Sequence, residues 1–389
     1  MIKLYEKQSF LKECEAIVTE CYKKEDKVYI KLNQSIFFPE EGGQYADTGV
    51  LEYDGKTVQL LDGQIVNGEI IYQIENEIPS GTAVLCKLNW ATRFDRMQNH
   101  SGEHILSGLI HSKYGFNNIG FHLSDDAMVT LVVDGVLTRE QVMELEQEVN
   151  SVIYANLPIT DSYPDKEELA NISYRSKIEI DGQVRLITIG EGENIVDVCA
   201  CCAPHVSRTG EIGILKVTGV MKSKGGVQIS ILCGRRALEY INHNLDLLNS
   251  MAGAFTTHPD NVPGIVDNLK KECMEVKSQL SEYREKGIID SIEANPETKC
   301  IFGDSELSAQ NMKNIFNALV EKCQGYVGVF DGDDVAGYRY YAGGNGMDAR
   351  ELAKLMREGL GAKGGGSSEM IQGKTESEKT SIEQFWSTI

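Results

Sequence analysis

Two stretches a hundred residues apart carry residue types that make chemical sense only if the fold brings them together. The first runs from Arg96 to Ile110, RMQNHSGEHILSGLI, and the second from Val196 to Gly210, VDVCACCAPHVSRTG. On a helix each residue advances about 100°, so His100 and His104 point the same way, one turn apart. Ile105, Leu106, Leu109 and Ile110 fall on the other side, as a core-facing stripe should. The first stretch is therefore expected to be a helix with its back in a core and two imidazoles over a cavity. The second stretch is dense in Cys and ends in a His, with Pro204 and Gly210 breaking regular structure. Cys201 and His205, four apart, would complete a two-plus-two set of the kind that zinc takes. Cys199 and Cys202 are rivals for the sulfur position, and spacing does not choose among the three. His111 shares the helix face, but it stands about 10 Å along the axis from His104, too far to share one ion easily.

The chain has 389 residues, room for two to four domains, and 41% hydrophobic content supports real cores. The N-terminus, MIKLYEK, has no apolar signal region, and no stretch is long enough to span a membrane. Ten cysteines, some isolated and some clustered, point to a reducing compartment, hence the cytoplasm, rather than to a disulfide framework. A net charge of −20 disfavours indiscriminate nucleic-acid binding, so an RNA partner would have to be met by a local basic patch.

Residues 1–90 are expected to form a small β-barrel. Val28 to Leu32 is a strand, and Asp54-Gly55, Asp62-Gly63 and Asn67-Gly68 are turn signals between apolar runs. Within this region lies FFPEEGGQYADTG, from Phe37 to Gly49. Gly42 and Gly43 permit close backbone approach, and Gln44 offers both a donor and an acceptor. Residues 91–237 hold both halves of the proposed metal site and should form one α+β domain. Val129 to Val133 is read as a strand. Thr138 to Ile153 is read as a helix opened by a Thr138/Gln141 capping box, with Val142, Leu145, Val149 and Val152 on one face. Strands are expected over Val184 to Ile189 and Glu211 to Val217. From Arg208 to Arg236 the balance turns basic, and Lys222 and Lys224 could contact phosphates. Residues 238–294 should form a helical hairpin, because Leu238, Ile241, Leu245 and Leu248, then Val266, Leu269, Cys273, Val276, Leu280 and Tyr283, follow heptad spacing. It could equally be a dimer surface. Residues 295–389 are read as an α/β unit whose loop from Gly361 to Gly373, containing Gly364, Gly365 and Gly366, could cradle a phosphate.

Together these elements resemble the alanyl-tRNA editing family (AlaX, long form), free-standing relatives of the editing half of alanyl-tRNA synthetase. The resemblance rests on His100/His104, on Cys201/His205 a hundred residues later, on Gly42-Gly43-Gln44, and on Arg208 to Gly213. The tail from Gly364 to Gln372 resembles the DHH-associated C-terminal domain. Nothing here corresponds to the synthetase's aminoacylation domain. Two departures stand out. The synthetase loop usually reads Cys-Gly-Gly-Thr-His where this chain has Cys201-Cys-Ala-Pro-His205, and Glu41 replaces a glycine that is common in the first motif.

The resemblance implies a zinc-containing deacylase acting in trans on the ester between a wrong amino acid and the 3′ end of alanine tRNA, chiefly serine, with glycine a further substrate. It implies His100, His104, Cys201 and His205 as Zn2+ ligands. It also brings an association with ATP binding. Gln44 and Glu40, with Gly42 and Gly43, are the candidates for the substrate pocket. Lys222, Lys224 and Gly364 to Gly366 are the candidates for tRNA contact, and the helical hairpin or C-terminal domain for a homodimer contact. No catalytic residue beyond the metal site is assigned. Glu103 lies at the flank of the metal face and not where His-Glu-x-x-His places a base. The reading from a different class is a zinc-stabilised RNA-binding adaptor without hydrolytic activity.

Overall fold

Alternating apolar and polar residues give a strand one buried and one solvated face. The N-terminal segment uses that period to close a barrel. Its elements are β1 (Ile2–Lys3), α1 (Leu4–Lys7), β2 (Glu13–Lys24), β3 (Lys27–Leu32), β4 (Gln34–Ser35), β5 (Gly49–Tyr53), β6 (Lys56–Val66), β7 (Glu69–Ile74) and β8 (Ala83–Leu88). The barrel closes in the order β2-β3-β7-β6-β5-β8, and β1 pairs in parallel with β4 outside it. Val18, Ile30, Leu51, Leu60, Tyr72 and Cys86 fill the interior. Asp54-Gly55 and Asn67-Gly68 make the expected turns, with positive φ at all four residues. Asp62-Gly63 does not. It lies inside β6, beside a register shift between Leu60 and Asp62. A Cβ on Gly63 would stand 2.9 Å from the Tyr72 ring, so this glycine serves a close approach and not a chain reversal.

The computed structural model describes residues 1–123, 128–176, 182–294, 297–303 and 307–389, and Met1–Leu247 forms one compact unit and Leu248–Ile389 a second. In the first unit the barrel leads into α2 (Trp90–Tyr114), capped at its start by the Asn89 side chain and ended by Gly115 in the left-handed conformation. Then follow β9 (Asn118–His122), β10 (Val129–Val133), α3 (Arg139–Tyr154), β11 (Ile159–Ser162), α4 (Lys166–Leu169), β12 (Leu186–Ile189), β13 (Asp197–Ala200), β14 (Leu215–Ser223), β15 (Gly226–Cys233) and α5 (Gly234–Ala254), whose residues from Leu248 on belong to the second unit. An antiparallel sheet runs β14-β15-β10-β9, and a smaller one β11-β12-β13. The sequence predicts that α2 buries one face. Instead every residue from Arg96 to Gly108 is buried, because sheet, α3 and Cys-rich segment surround the helix. The capping box on α3 has both of its reciprocal hydrogen bonds. The strand expected from Glu211 starts only at Leu215, because Thr209–Ile212 is a 3-10 turn and Gly213 follows with φ +81°.

The second unit holds α6 (Val262–Ala294), β16 (Cys300–Gly303), α7 (Ala309–Lys322), β17 (Tyr326–Asp333), β18 (Gly337–Gly344), α8 (Ala349–Leu360), β19 (Lys363–Gly366), β20 (Met370–Thr375) and α9 (Lys379–Thr388). Its sheet runs β16-β17-β18-β20-β19. Ile292 of α6 and Met312, Ile315 and Leu319 of α7 pack with Val327 and Val329. Leu352, Met356, Ile382 and Trp386 of α8 and α9 pack with Phe330, Tyr340 and Ile371. The run from Gly361 to Gly373, read from sequence as a loop, is mostly a β-hairpin. Gly364 and Gly373 face each other across it, and a Cβ on either would stand 2.7 Å from the Tyr340 hydroxyl. Packing over Tyr340 accounts for those glycines. Among the described residues no helix is long and apolar enough to cross a membrane.

The α3 capping box can be tested alone. Thr138→Ala should lower the unfolding free energy by about 1 kcal/mol in urea titration, and Thr138→Ser by only a few tenths. Equal losses for both would show that the methyl group, and not the hydroxyl, does the work.

Candidate metal centre

The glycine-rich segment reaches α2 through buried charge. Arg93 is fully buried on the first turn of α2 and pairs with Asp47, itself 1% exposed. The Arg93 Nε donates to Asp47 Oδ2 at 2.9 Å, and the guanidinium also donates to the carbonyls of Ile36 and Ser9. Asp47 accepts a further bond from the Phe38 amide at 2.7 Å. One turn on, Arg96 donates to the carbonyls of Ala46 and Tyr45. Together these bonds hold the segment between Ile36 and Asp47 against the helix. Gly43 docks on the end of β9, its carbonyl accepting from the Leu123 amide at 2.8 Å. Its φ is +86°, and a Cβ there would lie 2.3 Å from the Phe121 carbonyl oxygen, so only glycine fits. Gln44 is thereby buried with its Oε1 2.8 Å from Nδ1 of His100.

His100, His104, Cys201 and His205 come together, their ligand atoms all within 4.8 Å of one another. The Cys201 Sγ lies 3.6 Å from His100 Nε2 and 3.3 Å from His205 Nε2. A tetrahedral zinc with bonds of about 2.0 Å to nitrogen and 2.3 Å to sulfur needs donor separations of roughly 3.3–3.6 Å. An imidazole that gives Nε2 to a metal carries its proton on Nδ1, and here each Nδ1 faces an oxygen that can accept it. His100 faces Gln44, His205 faces the Ser101 hydroxyl at 3.0 Å, and His104 faces Asp197 Oδ2 at 3.3 Å. The chemistry of the donor set fits a bound cation.

The outer groups are themselves anchored. Asp197 receives both Nε and Nη2 of Arg175 at 2.7 Å. Its approach to α2 depends on Gly108, where a Cβ would lie 2.8 Å from the Asp197 Cβ. Ser101 also accepts from the Val206 amide. Arg185 grips the Cys loop, donating to the carbonyls of Ala203 at 2.8 Å and Cys201 at 3.2 Å, and to Glu6 at 2.9 Å. Behind the loop lies a cavity of about 150 Å³ lined by Ser9, Asp161, Arg185, His205 and Ser207.

Electrostatics separates the three rival cysteines. Burial alone would raise the Cys201 thiol, but His100 and His205 draw it well below its ordinary range. Burial raises Cys199, and burial with Cys201 and Glu41 raises Cys202. Cys199 stands with His104 and Asp197 in a second group that could hold a cation. Arg175 occupies both Asp197 oxygens, which casts Asp197 as the carboxylate that orients His104. Burial pushes His205 down to about 3, leaving it neutral. Burial opposes charge on His104, yet Cys199, Asp197 and Cys201 together hold its proton.

The other expected residues are dispersed. Glu40 is exposed, and Gln64 donates to it at 2.7 Å. Gly42, with φ +64°, sits where a Cβ would be 4.0 Å from the Cys202 sulfur. Lys222 and Lys224 are exposed at the β14–β15 turn. Gly364, Gly365 and Gly366 lie exposed on edge strand β19 of the second unit. Glu103 is buried and receives the Ser107 hydroxyl and the Asn118 amide. Sequence reasoning passed over Ser101, Asp197, Arg175 and Arg185, and also Arg93 and Arg96. One signal was available: Arg93, Arg96, His100 and His104 follow spacings of 3, 4 and 4, one continuous helix face.

Four substitutions test this geometry. Cys201→Ala should abolish metal retention in elemental analysis of purified protein, while Cys199→Ala and Cys202→Ala keep it. Gln44→Ala should weaken metal affinity about 10- to 100-fold in a chelator competition, as loss of an orienting partner does. Unchanged affinity would separate Gln44 from the metal.

Residues 184–228, which include Cys201 and His205, match the family model described as the threonyl and alanyl tRNA synthetase second additional domain. The chain is 28% identical to the alanyl-tRNA editing protein AlaX-L of Pyrococcus horikoshii, over 98% of this chain and 96% of that protein. It is 27% identical to an alanine–tRNA ligase of Ignicoccus hospitalis, over 98% of this chain but 42% of the ligase. For the ligase of Caldivirga maquilingensis the identity is 29%, over 89% of this chain and 39% of the ligase. The chain thus spans nearly all of the editing protein and about two-fifths of the ligases. On that coverage it is a relative of the long-form alanyl-tRNA editing proteins, similar also to the corresponding part of alanyl-tRNA synthetases.

Proposed function

We propose that this chain is a trans-editing aminoacyl-tRNA deacylase that hydrolyses chiefly serine from wrongly charged alanine tRNA, with Zn2+ held by His100, His104, Cys201 and His205. The observation that carries the reading is the four-residue cluster with its three outer partners, in a chain similar to AlaX-L over nearly its whole length. Bound there, zinc would supply a fixed positive charge and hold its four ligands in place.

The chain's own residues supply recognition. The Oε1 of Gln44 is committed to His100, while its Nε2 is buried with no hydrogen-bond partner among the described residues. An unsatisfied buried donor beside the cluster is suited to an oxygen of the substrate. We assign that role to the serine hydroxyl. A pocket sized for alanine in a synthetase rejects serine and glycine weakly, so a second pocket that reads the hydroxyl adds discrimination. Glu103 is committed to Ser107 and Asn118 and is not assigned as a base. With a net charge of −20, tRNA contact has to be local. Lys222 and Lys224 at an exposed turn, and exposed strand β19, are the places we assign to it.

The test is ester loss from alanine tRNA charged with serine, glycine or alanine. Serine should be released well above the spontaneous rate. Alanine leaves the Gln44 donor unpaired, at a cost of about 1–3 kcal/mol, so its release should be roughly ten- to a hundredfold slower. Zinc and tRNA binding with no ester loss would instead make the protein an RNA-binding adaptor.

A further inference from the structure

The barrel holds a second pair of reactive groups, away from the candidate ligands. Strands β2 and β8 run antiparallel with Glu13 opposite Lys87, Cys14 opposite Cys86 and Glu15 opposite Leu85. The Leu88 amide donates to the Lys12 carbonyl at 2.9 Å, and the Val18 amide to the Thr82 carbonyl at 3.0 Å. Hydrogen-bonded pairs recur every second residue along such a ladder, so Cys14 and Cys86 occupy one of them. The Cα atoms of such a pair stand about 5.5 Å apart, inside the span of roughly 4.4–6.8 Å that a disulfide bridges. Directly opposed side chains leave the same face of the ladder. Here that face is the barrel interior: Cys86 is fully buried, and half-buried Cys14 packs against the same core. At that position Cys86 draws Cys14 below its ordinary range.

We propose that Cys14 and Cys86 are a redox-modification site that closes to a reversible cross-strand disulfide. The co-reactant is a small disulfide of the glutathione class. The Cys14 thiolate attacks one sulfur of glutathione disulfide, forming a mixed disulfide and releasing one glutathione thiolate. The Cys86 sulfur, after giving up its proton, then attacks the Cys14 sulfur and displaces the second glutathione. Two protein thiols are oxidised, and one glutathione disulfide is reduced to two thiols. The bond would tie β2 to the strand that runs directly into α2, the helix that carries His100 and His104.

The full-length protein is incubated with excess glutathione disulfide, its free thiols are alkylated in denaturant, and the digest is mapped by mass spectrometry. Two of the ten cysteines should escape alkylation. The peptide 13–23, which holds both Cys14 and Cys21, should be linked to the one carrying Cys86. That link should vanish in Cys14→Ser, persist in Cys21→Ser, and open with dithiothreitol. Three results would overturn the proposal: a link that persists in Cys14→Ser, full alkylation of Cys86 after oxidation, or Cys14 that stops at the glutathione adduct.

Discussion

The candidate site depends on one buried ion pair, Arg93 with Asp47. Neither side chain touches a candidate metal ligand. Both are nearly inaccessible to water, so their charges are compensated by each other, by Arg96, whose guanidinium lies 3.6 Å from Asp47 Oδ1, and by neighbouring backbone groups. Removing Asp47 would leave the Arg93 charge buried without this counter-ion, which costs about 3–5 kcal/mol. Its structural effect is registration. Asp47 ends the glycine-rich segment and Arg93 opens α2, so the pair fixes where that segment lies along the helix. Arg96 repeats the hold one turn later, at the carbonyls of Tyr45 and Ala46. With both in place, Gln44 meets His100 seven residues further along α2 than Arg93.

The candidate metal quartet therefore draws on three parts of the first unit. Gln44 comes from the barrel segment, Ser101 from α2 itself, and Asp197 from the first position of β13. Each holds the Nδ1 of a different histidine. Gly108 lets β13 come close to α2, and Arg175 fixes the Asp197 carboxylate against His104. A rigid outer set of this kind keeps the imidazoles oriented whether or not a cation is bound, which limits the conformational freedom lost on binding.

How much of this could be read from sequence depended on the range of the interaction. His100 and His104 were legible because helical period is local, and Cys201 and His205 because chain-breaking residues and ligand types cluster there. The barrel was legible from alternation and from Asp54-Gly55 and Asn67-Gly68. Two of the errors came from glycines. Gly63 and Gly364 have the composition of turns, but they exist to let Tyr72 and Tyr340 lie close to the backbone, a contact that only the closed fold creates. For the same reason Gln44 looked like a substrate group alone, when its oxygen is committed to His100. Nothing in local sequence separated Cys201 from Cys199 and Cys202. That distinction comes from which sulfur the fold points at the imidazoles.

The most direct test of the account is X-ray absorption at the zinc edge of the purified protein. The account predicts one sulfur at about 2.3 Å and three imidazole nitrogens at about 2.0 Å. Two sulfurs in the shell would place Cys199 or Cys202 on the metal, and a shell without sulfur would remove Cys201. Either result would contradict the arrangement described for α2 and the Cys loop.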